Sequence, residues 1–189
     1  MLRVSHIPNG ICILRIILVG PIVFSLLSGE FFAALILIFV AGLSDGLDGF
    51  LAKTFDWRTR LGGLLDPLAD KILLIAVFLT LTYLGLTPAW LTVVVIGRDA
   101  VIIAGAITYN FRIGAVQTDP TLLSKVNTGL QLLYMLAVIS NQAFSWSLGL
   151  IILLIGAGVL NTSFVSGLDY VLRWSAKAAA HHAGSPKFD

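Results

Sequence analysis

Apolar residues in this chain come in long runs, with little of the strict alternation of a half-buried strand. Six runs, approximately 8–27, 31–53, 62–84, 88–109, 122–140 and 145–164, are separated by short segments, all but 141–144 holding Gly, Pro or charged residues. A run of about 20 apolar residues forms a helix long enough to cross the roughly 30 Å hydrocarbon core of a bilayer. The pattern predicts an all-α integral membrane protein with six transmembrane helices.

The polar segments between the runs add an orientation. Those at 28–30, 85–87 and 141–144 hold no Lys or Arg. The other connections and both ends receive Arg3, then Lys53, Arg58 and Arg60, then Arg112 and Lys125, and finally Arg173, Lys177 and Lys187. Lys and Arg near span ends favour the cytoplasmic side. Six spans with both termini cytoplasmic satisfy all of these charges at once. The opening MLRVSHIPNGICILRIILVGPIVFSLLSG reads as a retained first span, because Arg15 interrupts its apolar region and no small-residue cleavage site follows a short one. With no organelle presequence visible, the bacterial inner (plasma) membrane is the expected location and the mitochondrial inner membrane the alternative.

Composition removes other classes. With 58% hydrophobic and only 12% charged residues and a mean hydropathy of +0.97, the chain lacks the polar material to cover a soluble surface. A net charge of +2 gives no reason to expect nucleic acid as a partner. Cys12 is the only cysteine, which excludes an intramolecular disulfide. Residues 1–174 are expected to form one membrane domain, and 175–189, SAKAAAHHAGSPKFD, a flexible polar tail. His181 and His182 in that tail read as ordinary residues rather than a designed metal site.

Against this background one stretch stands apart: SDGLDGFLAKTFDWRTRLGGLLDPLADK, residues 44–71. Asp45 and Asp48 are spaced i, i+3 near the end of the second span, and Asp66 and Asp70 i, i+4 near the start of the third, so each pair lies on one helix face. Counting inward at about 1.5 Å per residue puts both pairs roughly 5–15 Å from the connection between the spans. An antiparallel helix pair therefore brings all four carboxylates to one depth. Unpaired charges at membrane depth cost several kcal/mol, and Lys53 and Lys71 offset only part of it. Hard divalent cations resolve the imbalance better, and four shared Asp side chains suit two of them. The structural alternative is that these aspartates pair with Lys53, Lys71, Arg58 and Arg60 and hold helices together. Gly46, Gly49, Ala52, Gly62 and Gly63 leave room for a bulky polar ligand, although Gly42-x-x-x-Gly46 also suits close helix packing.

The spacing Asp45-x-x-Asp48-Gly49-x-x-Ala52-Lys53, eight residues, then Gly62-x-x-x-Asp66-x-x-x-Asp70 resembles the signature of the CDP-alcohol phosphatidyltransferases. One position departs, Lys53 standing where the family usually has Arg. Lysine keeps the charge without the bidentate fork. The resemblance implies a six-helix membrane fold, usually a homodimer, with a polar cavity open to the cytoplasm. It implies two divalent ions, commonly Mg²⁺ or Mn²⁺, at Asp45, Asp48, Asp66 and Asp70, and a CDP group along Gly49, Ala52, Lys53 and Gly62. Asp70 corresponds to the family's general base, which takes a proton from the acceptor hydroxyl as CMP leaves.

Arg98 and Asp99 sit deep in the fourth span. They are expected either to form a local ion pair or helix-packing bond, or, for Arg98 with Lys125, to bind the acceptor's phosphate. Arg15 either snorkels to the cytoplasmic interface or faces the cavity. The segments Asp66–Leu73, Gly97-Arg98-Asp99 and Pro120–Thr128 together resemble the cardiolipin synthases of the CDP-alcohol type, over about residues 7–136. Those enzymes transfer the phosphatidyl group of CDP-diacylglycerol to phosphatidylglycerol. The sister enzymes that use glycerol 3-phosphate, making phosphatidylglycerol phosphate, share much of the same motif and are the alternative. A cation transporter is the competing class, since intramembrane acids often mark ion paths. It predicts charges spread through the bilayer depth, whereas these acids crowd to one side.

Overall fold

Six helices make up the regular structure of the described residues, which in this computed structural model are 7–54, 62–112 and 122–183, with side chains described over 13–44, 69–102, 104 and 122–168. They are α1 (Ile7–Leu27), α2 (Phe31–Thr54), α3 (Gly62–Tyr83), α4 (Ala89–Arg112), α5 (Leu122–Phe144) and α6 (Gly149–Ala183). The all-α expectation holds, and no strand occurs among the described residues.

Two helix ends show how local sequence stops an apolar run. Gly29 (φ 76°) and Gly85 (φ 72°) take left-handed backbone. At the first, the Glu30 amide donates to the Ser25 carbonyl at 2.8 Å and Gly29 to Leu26 at 3.1 Å. At the second, Leu86 donates to Leu81 at 2.9 Å and Gly85 to Thr82 at 3.0 Å. Both are Schellman caps, in which a glycine without a Cβ penalty lets the chain turn back and use carbonyls that the helix leaves orphaned. The next turn is different. α5 continues to Phe144, absorbing the 141–144 connection, because nothing in Asn-Gln-Ala-Phe breaks a helix. Ser145 then adopts φ 52°, and the Asn141 side-chain oxygen accepts the Leu148 amide at 3.0 Å just before α6.

At the C-terminus the helix outlasts the apolar run: α6 is 35 residues long and ends at Ala183. Apolar character ends near residue 168, but Ala176, Lys177 and Ala178–Ala180 are good helix formers, and propensity continues what hydropathy does not.

By internal contacts the chain divides into two units: Met1–Pro88 with Met135–Ile152, and Ala89–Tyr134 with Leu153–Asp189. In the first, α1 packs against both α2 and α3. Its core is Ile22, Leu26, Ala34, Ile38, Leu74, Val77, Phe78 and Leu81, joined by Met135 and Ile139 of α5. Phe32, Phe144 and Trp146 form an aromatic cluster, Phe32 edge-on to Phe144 (centroids 5.8 Å) and Phe144 stacked on Trp146 (4.8 Å). In the second unit Leu91, Val95, Tyr134 and Val159 are buried. Gly156 lets α6 approach the Tyr134 ring, since a Cβ there would lie 3.1 Å from its Cε2.

Large apolar side chains also point outward. Phe24, Val93 and Leu150 are 72%, 69% and 70% exposed, a costly arrangement in water and a natural one against lipid. Helices Leu122–Phe144 and Gly149–Leu168 are long and apolar enough to cross a membrane, while Ile13–Leu27 and Phe31–Ser44 are shorter apolar stretches.

Candidate active site

The signature lies on two helices whose backbone is described and whose side chains are described only in part. α2 is helical through Asp45, Asp48, Gly49, Ala52 and Lys53, and α3 through Gly62, Asp66 and Asp70. The i, i+3 and i, i+4 spacings are therefore one helical turn each, as the aspartate pattern requires. The side chains of Asp45, Asp48 and Asp66, and those of Gly49, Ala52, Lys53 and Gly62 expected at a CDP site, lie outside the described ones, and with them the expected convergence of four carboxylates.

Asp70 is described. Its Oδ1 accepts a hydrogen bond from Nη1 of Arg15, forming an ion pair between α3 and α1. The Arg15 side chain is 1% exposed and that of Asp70 46%. The Arg15 guanidinium is therefore packed inside the protein against Asp70, which it holds. The Asp70 side chain is thus only half covered. Among the described residues no three His, Cys, Asp or Glu side chains cluster. The donor chemistry still fits a hard divalent ion, since Asp70 offers carboxylate oxygen and the helical backbone sets Asp66 one turn before it.

Arg98 and Asp99 form the second polar centre, within the other unit. Arg98 Nη1 donates to Asp99 Oδ1 at 2.7 Å, and Nη2 donates to Ser124 Oγ at 2.8 Å and Ser166 Oγ at 2.6 Å. One buried guanidinium thus ties α4, α5 and α6, and both the local ion pair and the helix-packing bonds weighed for it are present. Lys125, adjacent to Ser124, is exposed.

Further along α5 is a polar stripe that the sequence reading did not single out as a centre. Asn127, fully buried, accepts hydrogen bonds through Oδ1 from Thr162 at 2.8 Å and Ser163 at 3.0 Å on α6. One turn on, Gln131 is also fully buried, and neither atom of its amide has a partner among the described residues. The signal was available: Asn127 and Gln131 are spaced i, i+4, and Ser163 and Ser166 i, i+3, within otherwise apolar spans.

The model of the CDP-alcohol phosphatidyltransferase family matches residues 5–167. The chain belongs to this family. It is 34% identical to the human cardiolipin synthase (CMP-forming) over 157 residues, covering 75% of this chain and 52% of that protein. The cardiolipin synthase (CMP-forming) of Streptomyces coelicolor is 35% identical over 107 residues, covering 53% of this chain and 50% of that one. The CDP-diacylglycerol–glycerol-3-phosphate 3-phosphatidyltransferase of Aquifex aeolicus is 34% identical over 105 residues, 54% of this chain and 58% of that one. The chain thus spans about half the length of the curated relatives it matches. Family membership, the two spanning-length helices and the outward apolar side chains make this a membrane protein and set aside the cation transporter.

Proposed function

We propose that this chain transfers the phosphatidyl group of CDP-diacylglycerol to a hydroxyl of phosphatidylglycerol, giving cardiolipin and CMP. The reading is carried by the similarity to proteins named cardiolipin synthase (CMP-forming) in both animals and bacteria. Transfer to glycerol 3-phosphate is the second reading, favoured by the Aquifex aeolicus relative.

On this reading Asp45, Asp48, Asp66 and Asp70 hold two divalent ions, Mg²⁺ or Mn²⁺. Bound there, such ions neutralise the diphosphate and make its phosphorus more electrophilic. Gly49, Ala52 and Gly62 leave the backbone bare for the CDP group, and Lys53 supplies a point charge to its phosphates. Asp70, held by Arg15 and half exposed, takes the proton of the acceptor hydroxyl. The hydroxyl oxygen then bonds to the phosphatidyl phosphorus, the bond from that phosphorus to CMP breaks, and CMP leaves. Lys125, with Arg98 fixing the neighbouring Ser124, serves the acceptor's phosphate. Six spans, both termini on the cytoplasmic side of a bacterial inner membrane, a polar cavity open to that side and a homodimeric assembly complete the proposal.

The test follows CMP release by purified protein in lipid micelles with CDP-diacylglycerol and Mg²⁺ or Mn²⁺. Phosphatidylglycerol, glycerol 3-phosphate or no acceptor is supplied, with Asp70→Asn in parallel. Metal-dependent release with phosphatidylglycerol, yielding cardiolipin and lost in the variant, is the expected result. Release with glycerol 3-phosphate alone establishes the second reading, and no release under any condition overturns both.

A further inference from the structure

A groove of about 370 Å³ runs between α4 and α6 in the second unit. Val94 and Val101 wall it on one side, Phe164 and Leu168 on the other, and Arg98 lines it. Gly97 widens it, a Cβ at that position meeting nothing within 4 Å. Arg98 is only 8% exposed. Its Nη groups are committed to Asp99, Ser124 and Ser166, but its buried Nε has no partner among the described residues.

These facts specify a ligand. A buried N–H left unsatisfied costs free energy, more so away from water. Its matching group need not be an anion, because Asp99 at 2.7 Å already compensates the charge. What remains is one donor, calling for a neutral acceptor oxygen, beside walls that call for hydrocarbon. An acyl ester carries both. A free fatty acid fits worse, since its carboxylate would meet Asp99.

We propose that this groove holds one acyl chain of the acceptor phospholipid, whose ester carbonyl accepts a hydrogen bond from Arg98 Nε. The assignment rests on the reading that the acceptor is a lipid. It falls to the acceptor rather than the donor because Arg98 also bonds Ser124, next to Lys125. A phospholipid's ester and phosphate share one glycerol, so a chain seated at Arg98 leaves its phosphate on the Lys125 side.

The experiment reads binding directly. Purified full chain in lipid nanodiscs is irradiated with phosphatidylglycerol bearing a diazirine on one acyl chain, and labelled peptides are mapped by mass spectrometry. Label is expected on 93–101 and 163–168, competed by unlabelled phosphatidylglycerol and not by phosphatidylcholine, and lost in Val101→Trp. Ether-linked phosphatidylglycerol, which lacks the carbonyl, should compete about three- to tenfold less well, the scale of one hydrogen bond. This lipid-side comparison needs no variant to fold. Label elsewhere, equal competition by phosphatidylcholine, or ether and ester lipids competing alike would each overturn the assignment. So would stronger competition by CDP-diacylglycerol, which makes the chain the donor's. A change of oligomeric state in Val101→Trp would give the groove to a second copy. Because labelling needs no turnover, the two proposals separate. Groove labelling without cardiolipin formation removes the reaction and keeps the groove; cardiolipin formation without groove labelling does the reverse.

Discussion

Arg15 on α1 and Asp70 on α3 form an ion pair in which the arginine is sealed from solvent while the aspartate is half open to it. The two ends of the bond are therefore unequal. Loss of Asp70 takes an ionic partner from a buried guanidinium; loss of Arg15 takes one from a half-exposed carboxylate.

In a thermal-unfolding series in detergent, Asp70→Ala should approach the roughly 3–5 kcal/mol lost when a buried pair is broken. Arg15→Met should cost about 1 kcal/mol or less, like a solvent-exposed pair. The double variant should recover much of the Asp70→Ala loss. Equal costs for the two single variants would mean that the asymmetric burial does not set the energetics.

On the proposed mechanism the same pair has a kinetic signature. Asp70→Asn should lower kcat by about 10²-fold or more, the scale of a positioned base, with the protein still inserted in the membrane. Arg15→Met should lower kcat with little change in the KM for either lipid, and Arg15→Lys should restore part of it. Chelation of divalent ions should abolish CMP release, and Asp45→Asn or Asp66→Asn should raise the metal concentration needed to restore it.

Gln131 offers a different test. Its amide is buried without partners among the described residues, so Gln131→Leu should leave thermal stability unchanged or raise it by about 1 kcal/mol. Asn127→Leu should destabilise by about 1–2 kcal/mol, because the Ser163 hydroxyl then loses the oxygen it donates to. If Gln131→Leu is stabilising and also slows turnover, the unsatisfied amide serves the reaction rather than the fold.

Helix positions could be read from the sequence wherever a breaker coincides with the end of an apolar run. The spans read at 31–53 and 62–84 correspond to Phe31–Thr54 and Gly62–Tyr83. The end of α6 could not be read this way, because hydropathy reports partitioning into lipid and is blind to an alanine-rich segment that stays helical outside it. In the candidate site, the residue types and spacings of the aspartate motif were legible from covalent order alone. The partner of Arg15 was not, since it depends on how α1 and α3 are rotated about their axes. Arg98 and Asp99 illustrate the same limit: neighbours in sequence project from different helix faces, and only the length of the arginine side chain lets them meet.

Close packing in the second unit makes a further prediction. Gly156→Leu should cost about 1–3 kcal/mol by overpacking against Tyr134. Gly156→Ala should cost less, to the extent that the ring shifts by a few tenths of an ångström. Gly97→Ala, whose Cβ meets nothing, should stay within about 0.5 kcal/mol of the parent. Unfolding midpoints of the three variants check the order.

The turn at Ser28–Glu30 bears on how the protein is made. Three residues span at most about 11 Å when fully extended, far less than the roughly 30 Å hydrocarbon core. On the six-span reading, α1 cannot settle while α2 waits on the other side, so the two must leave the translocon together as a hairpin. Asp45 and Asp48 ride at the returning end of that hairpin and remain on the side of synthesis. The most acidic part of the chain then reaches its place without its aspartates being dragged through lipid; at the turn only Glu30 crosses.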